Sequence, residues 1–277
     1  MTIIKKFTNI QNKKFLKKGF IAYYLRVFKL LYYEFIFFLE RKTFRKHYSQ
    51  SQQRKEAYNK YWSNFDDTSY FDNYSNKSYC WHILKNKYFL APKGFTGDIF
   101  RKLIRSEIQR LKPKNVLEVG CGIGLNIFYL AKIFKNIKFY GVDISDYAIN
   151  KNNLFVKKNK INNVKFYCMN AKNLSFKKNS FDLSYTVLAL EQMNKIKIEV
   201  IRKIKNIVKK NIILVEPFAD INKNLLNFIH TKNSDYFDLH YNELEKLGLT
   251  IQKKIDNFPQ RLGLAAGFVT TIKVIDR

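Results

Sequence analysis

A short apolar strand, Asn115–Val119, runs into Glu118-Val119-Gly120-Cys121-Gly122-Ile123-Gly124, and a helical pattern follows from Leu125 to Phe134. Nothing else in the chain limits the fold so sharply. Three alternating glycines, out of only ten in 277 residues, allow a tight strand-to-helix turn and let the backbone approach a ligand. The helix that follows offers the unpaired N–H groups of its first turn, which suit a polar or anionic group of a nucleotide-like ligand. A second strand, Ile137–Val142, ends at Asp143, 19 residues past Gly124. That is about where such folds place a carboxylate for ribose hydroxyls. Strand, glycine turn, helix and strand together make a βαβ unit, so the expected sheet is parallel.

Glycine turns are common, and the details decide between ligands. In a GxGxxG dinucleotide loop the third glycine, counted from Gly120, would fall at Leu125, and counted from Gly122 at Ile127. A nicotinamide or flavin dinucleotide fold therefore fits poorly. A P-loop is excluded, because no GxxxxGK[ST] occurs. The pattern present, acidic-x-Gly-x-Gly-x-Gly with Glu118 two residues before the first glycine, closely resembles the first motif of class I S-adenosylmethionine-dependent methyltransferases.

The resemblance continues in order along the chain. Val164–Cys168 reads as a third strand, followed by Asn170-Ala171, where this family places an acidic or amide group near the adenine. Ser180-Phe181-Asp182-Leu183-Ser184-Tyr185 resembles the family's fourth strand, which often begins F-D. Leu188-Ala189-Leu190-Glu191-Gln192 looks like the V-L-E-H stretch of the type-11 methyltransferase group, with Gln192 in place of the histidine. Asn211–Glu216 would be the fifth strand, and Thr250–Asp256 with Phe268–Ile275 the closing antiparallel pair. The resemblance covers residues 96–277. It implies an α/β, Rossmann-like class I methyltransferase fold: a mostly parallel seven-stranded sheet, last strand antiparallel, with helices on both faces. Residues 1–95 would form a basic, aromatic-rich helical N-terminal extension, with Glu56–Ser63 helical and 66–76 polar and turn-rich, and Phe95–Leu111 reads as a helix ended by Pro113.

The same resemblance implies S-adenosylmethionine as the cofactor, bound by Glu118, Gly120, Cys121, Gly122, Gly124, Asp143, Ile144, Asn170 and Ala171. Asp143 would hold the ribose, Ile144 would pack the adenine, and Asn170 would reach its edge. Glu118 would orient the loop or the methionine amino group, and Cys121 would serve as the small residue that the turn needs. Methyl transfer is an in-line displacement in which the protein supplies mainly positioning. A general base is optional, and the candidates are Glu191, Glu216, His230 and His240. No metal is expected, because the three cysteines and four histidines lack zinc-site spacing.

Charge narrows the partners less than it first suggests. The net charge is +29, from 51 basic and 22 acidic residues, but Lys supplies 41 of the 51. Lys, Asn, Ile, Phe and Tyr make up half the chain, the residues an A/T-rich codon pool supplies. Arg is the better reader of phosphates and bases, so Lys-heavy charge argues for compositional drift as much as for a polyanion. Residues 1–60 nevertheless concentrate it, with 15 basic and 3 acidic residues. Within them, Phe15–Leu39 reads as an amphipathic helix with a narrow polar stripe of Lys18, Arg26 and Lys29. Those charges interrupt any spanning run. Residues 15–40 either lie on an anionic membrane surface or pack on the catalytic domain.

The expected function is methyl transfer from S-adenosylmethionine to a small-molecule, lipid or glycan acceptor, by a cytoplasmic enzyme that is peripheral on the membrane if the helix is interfacial. An RNA or nucleobase acceptor is the alternative, favoured by charge. It is weakened because Thr186-Val187-Leu188-Ala189 stands where exocyclic-amine methyltransferases carry [DN]-P-P-[YF], and no cysteine stands nearby. A non-catalytic cofactor-binding scaffold is the other alternative. Tyr58, Tyr61 and Trp62 are candidates to close over the site.

Overall fold

The computed structural model describes residues 51–63, 79–85, 87–92, 94–222, 237–261 and 266–273, and five helical residues further N-terminal, Ile21, Tyr24, Leu25, Phe28 and Tyr32. In chain order the elements are α1 (Ser51–Ser63), the hairpin β1 (Tyr79–Leu84) and β2 (Lys87–Pro92), α2 (Phe95–Leu111), β3 (Asn115–Val119) and α3 (Leu125–Ile133). They continue with β4 (Lys138–Asp143), α4 (Asp146–Lys158), β5 (Val164–Cys168), β6 (Phe181–Val187), α5 (Lys197–Ile207) and β7 (Val208–Glu216). The last are α6 (Tyr241–Lys246), β8 (Leu249–Ile255), β9 (Gln260–Arg261) and β10 (Gly267–Lys273).

Seven strands form one sheet in the order β5-β4-β3-β6-β7-β10-β8. Pairing is parallel from β5 through β7, and β10 runs antiparallel to both β7 and β8. The expected architecture is therefore present, with β10 as the reversed strand. The strands are apolar on both faces, as a sheet covered on both sides requires. Alternate residues divide cleanly between two cores. Val116, Ile213, Val215 and Phe268 face α2, α3 and α4, while Leu117, Ile212, Leu214 and Val269 face α5 and α6. From β3 the chain steps outward to β4 on one side and later returns to β6 on the other. That reversal opens a crevice beyond the C-terminal ends of β3 and β6, where open α/β sheets bind ligands.

The helix expected at Phe95–Leu111 is α2, which buries Phe100, Ile104 and Ile108 and stops at Lys112 in the left-handed conformation before Pro113. The N-terminal extension differs from the all-helical expectation. It contains a β-hairpin, β1–β2, which β9 joins to make a separate three-stranded sheet. The hairpin buries His82, Phe89 and Ala91 on one face. Its turn holds Lys85 at φ 48° with no glycine, so the usual turn signal is missing from the sequence. Helix α1 begins five residues before the expected Glu56. Most of residues 15–40, the polar stretch 66–76 and His230 lie outside the described residues.

The F-D at the start of β6 has a structural explanation. One Asp182 oxygen accepts the backbone N–H groups of Lys114 (2.8 Å) and Asn115 (2.9 Å), and the other pairs with Lys209 (2.8 Å). Burial pushes its carboxyl up, but Lys209 and the two amides outweigh that and hold it below the ordinary range. Asp182 thus ties the starts of β3, β6 and β7 into register. Asp182→Ala is expected to cost about 1–3 kcal/mol of stability, the scale for a hydrogen-bonded charge whose partners are left behind. Urea denaturation would read this as a lowered midpoint at unchanged slope.

Candidate active site

The glycine turn is built by the ends of β3 and β4. The N–H groups of Gly120 (2.8 Å) and Cys121 (3.0 Å) both donate to the Val142 carbonyl. Gly120, Gly122 and Gly124 sit at φ 76°, 49° and 73°, in the left-handed region that disfavours side chains. Space forbids side chains as well. A Cβ on Gly120 would lie 2.4 Å from the Ala189 Cβ, and one on Gly122 would lie 2.4 Å from the Trp62 ring. Gly124 is the N-cap of α3. Asn152, fully buried on α4, donates to the Gly122 carbonyl at 2.8 Å.

Three of the acids expected at the site anchor neighbouring segments. Asp143, the last residue of β4, accepts the Gly122 N–H (2.8 Å) on one oxygen and the Ser145 N–H (2.9 Å) on the other. Ser145 in turn caps α4, accepting from the Ala148 N–H. Burial raises the Asp143 carboxyl above its ordinary value, while those two amides oppose the rise. Glu118, 1% exposed, accepts from Asn126 of α3 (2.7 Å) and from the Tyr185 hydroxyl (3.1 Å). Burial lifts its carboxyl to about 8. Glu216, the last residue of β7 and fully buried, accepts the N–H groups of Ala189, Leu190 and Glu191 at 3.1–3.3 Å. Burial, with the Glu191 charge nearby, lifts it to about 8 also. The segment Glu216 holds begins at Leu188, which is strained at φ 51° and donates to the Val215 carbonyl.

These parts enclose a cavity of about 560 Å3, a size typical of small-ligand sites. Gly120, Asp143, Ile144, Asn170 and Ala171 line it, so five of the nine expected cofactor residues meet at one space. Glu118, Cys121, Gly122 and Gly124 shape the loop behind it. Cys121 is buried, and burial pushes its thiol well up. The other wall is Leu188, Ala189, Gln192, Met193, Lys195 and Ile196. Of the expected bases, none of Glu191, Glu216 and His240 lines the cavity. His240 instead caps α6 and lies 3.5 Å from Asp220. Among the described residues no group of His, Cys, Asp or Glu is arranged to hold a metal ion.

Helix α1 roofs the cavity with Tyr58 and Trp62. It is fastened to the first turn of α4: Asn59 bonds Asp146 (2.6 Å), Ser145 (2.6 Å) and the Tyr147 N–H (3.3 Å), and Lys55 pairs with Asp146 (2.7 Å). On the far side the Tyr58 hydroxyl donates to Gln192 at 3.2 Å. The aromatics, the fourth strand with Tyr185 and the Leu188–Gln192 stretch were legible in the sequence; the Lys55 and Asn59 anchors, Asn152 and the rest of the wall, Met193–Ile196, were not singled out. A polar residue at a helix position otherwise apolar, as at Asn152, is a signal that could have found one of them.

The buried acids give a pH signature. Glu118 and Glu216 titrate near 8 in the folded protein, against an ordinary value of 4.5. Between those values the folded state binds more protons than the unfolded chain, so stability falls as pH rises. Acids with lowered values, such as Glu107 and Asp182, are ionised in both states throughout that window and contribute no slope. Thermal melts from about pH 5 to pH 8 should therefore show a declining Tm, with a shallower decline in Glu118→Gln and Glu216→Gln. A flat wild-type profile would contradict it.

Residues 116–211 match the family model described as a methyltransferase domain. No curated protein matches the sequence. Among solved structures, the [4+2]-cyclase SpnF has a TM-score of 0.60 at 16% identity, over 82% of this chain and 97% of that one. Magnesium protoporphyrin IX methyltransferase from Synechocystis PCC 6803, solved with SAH, gives 0.53 at 15%, over 65% and 84%. A putative sarcosine dimethylglycine methyltransferase from Galdieria sulphuraria gives 0.53 at 13%, over 66% and 87%. At these identities the likeness is one of fold. Taken together, residues 116–211 match a methyltransferase domain, and the sheet order and the glycine turn closed by Asp143 give the chain the Rossmann-like fold of class I methyltransferases.

Proposed function

We propose that this enzyme methylates a small, largely apolar or lipid-linked acceptor that sits beside Leu188 and Gln192. The observation that carries the reading is the cavity, whose two ends differ in chemistry. At one end Asp143 keeps acceptor capacity for ribose hydroxyls beyond the two amides it already holds. Ile144 and Ala171 offer apolar surface to the adenine, and Asn170 offers an amide edge. Gly120, with Glu118, Cys121, Gly122 and Gly124 behind it, gives backbone access to the methionine portion. At the other end Tyr58, Leu188, Met193 and Ile196 make an apolar wall with Gln192 as its amide. Residues 96–277 are then the catalytic unit, and α1 of the 1–95 extension is its cap.

When bound, S-adenosylmethionine supplies an electrophilic methyl on a sulfonium, so the reaction asks mainly for an aligned acceptor and exclusion of water. The chain's own residues fit that demand. Glu216 is committed to three amides and positions the Leu188–Gln192 wall. Helix α1, fixed at Asp146 and at Gln192, shields the cavity. Neither role needs Glu191 or His240 as a base.

Calorimetry should show binding of S-adenosylmethionine and its demethylated product, and Asp143→Ala should lose about 1–3 kcal/mol of that affinity. Unchanged affinity in the variant would remove Asp143 from the site. Incubation with labelled S-adenosylmethionine and fractionated cell extract tests the acceptor class: label in the small-molecule or lipid fraction supports it, and label in RNA or protein overturns it.

A second observation favours a membrane-facing acceptor. No described helix is long and apolar enough to cross a membrane. Ile21, Tyr24, Leu25, Phe28 and Tyr32 are helical, follow one face at i, i+3, i+4, i+7 and i+11, and are 45–66% exposed. An apolar stripe of this kind, in a segment with 15 basic residues among the first 60, suits the interface of an anionic bilayer. Full-length protein should sediment with anionic vesicles, less so with neutral ones or in high salt. A chain starting near Arg41 should stay in the supernatant, still folded. Full-length protein that ignores anionic vesicles would overturn this part.

A further inference from the structure

We infer that Tyr58 and Trp62 form an aromatic seat for the sulfonium cation of the donor, so that the cap distinguishes charged S-adenosylmethionine from its neutral product. The inference rests on the cofactor reading of the cavity given above. Its starting point is the charge of the walls. Asp143 is the one carboxylate among the described residues lining the cavity, and both its oxygens already accept backbone N–H groups. The other charged lining residues, Lys172 and Lys195, are cations. Lys172 is paired outward with Glu199 at 3.4 Å. A ligand with a permanent positive centre therefore meets a single carboxylate among these walls, one that holds two amides and is assigned above to the ribose hydroxyls. Aromatic faces are the remaining electronegative surface, because the ring quadrupole is negative above the plane.

The fold delivers those faces rigidly. Tyr58 and Trp62 stand four residues apart on one stripe of α1, both half-buried. Lys55 and Asn59 occupy the adjacent stripe and fasten the helix to Asp146. The Trp62 ring lies against the Gly122 backbone, so closely that no side chain could replace the glycine's hydrogen. Tyr61 braces Trp62 edge to face, with ring centroids 4.8 Å apart. Trp62 is thus held on the glycine turn, and both residues line the cavity. An interaction made only with the cation weakens once the methyl has left, which favours product release.

The test needs no acceptor. Titration calorimetry would compare S-adenosylmethionine with its demethylated product for wild type, Trp62→Leu, Trp62→Phe, Tyr58→Leu and Tyr58→Phe, each checked for folding by circular dichroism. Cation–π attraction in a partly desolvated site predicts a loss of affinity for the charged donor on the order of fivefold or more in the Leu variants. Loss for the neutral product should stay under about twofold, and the Phe variants should retain most of the discrimination. Tyr58→Phe also separates the ring from its hydroxyl bond to Gln192. Equal losses for both ligands, or no loss, would show that the rings merely pack and would overturn the inference while leaving the cofactor site standing. Wild type that binds neither ligand would overturn the cofactor reading and the inference with it.

Discussion

Three buried carboxylates at the C-terminal edge of the sheet hold the site in shape. Glu118 near the end of β3, Asp143 at the end of β4 and Glu216 at the end of β7 each take donors from a neighbouring segment. The crevice itself comes from topology, because the chain leaves β3 in one direction and returns to β6 in the other. A crevice alone would have loose rims. Glu118 ties α3 and β6 to β3, Asp143 ties the glycine turn to the start of α4, and Glu216 ties the Leu188–Glu191 segment to β7. Burying carboxylates is costly unless donors satisfy them, and here each has at least two. The elevated values of Glu118 and Glu216 record what remains of that cost.

The central fold was legible because its signals are local. Glycines at positive φ, a strand-length apolar run and an acid at the strand's end are fixed by covalent geometry and by burial on two faces. Phe95–Leu111 and Val164–Cys168 could be read to the residue for that reason. The hairpin 79–92 could not, since a lysine takes the turn's left-handed conformation and no glycine or asparagine-glycine pair marks it. Its stability depends on β9, nearly 170 residues later in the chain, a pairing that no window of sequence reveals.

The candidate site divides in the same way. Glu118, Gly120 and Asp143 carry a pattern because one tight turn and its anchors impose it on adjacent loops. The opposite wall is only partly marked: Leu188–Gln192 resembles a family stretch, while Met193 and Ile196 are ordinary apolar residues until the fold turns them towards a cavity. The Lys55 and Asn59 anchors are equally silent, because in isolation they read as the solvated face of a polar helix. Glu216 drew attention as a possible base, and its burial beneath three amides explains why a titratable residue at a strand end can serve geometry.

The fold leaves the acceptor chemistry open, and the physics says where it is decided. A [4+2]-cyclase shares this fold, so the fold alone does not dictate one reaction. Methyl transfer itself needs little from acid or base groups once the acceptor is aligned. On the proposed reading, selectivity comes from the surfaces beside the acceptor, α1 and the Leu188–Ile196 wall. Both hang on a few contacts: Asn59 and Lys55 on Asp146 for the cap, and Glu216 for the wall. Changes to the cap and wall can thus retarget the cavity without disturbing the strands that hold the cofactor.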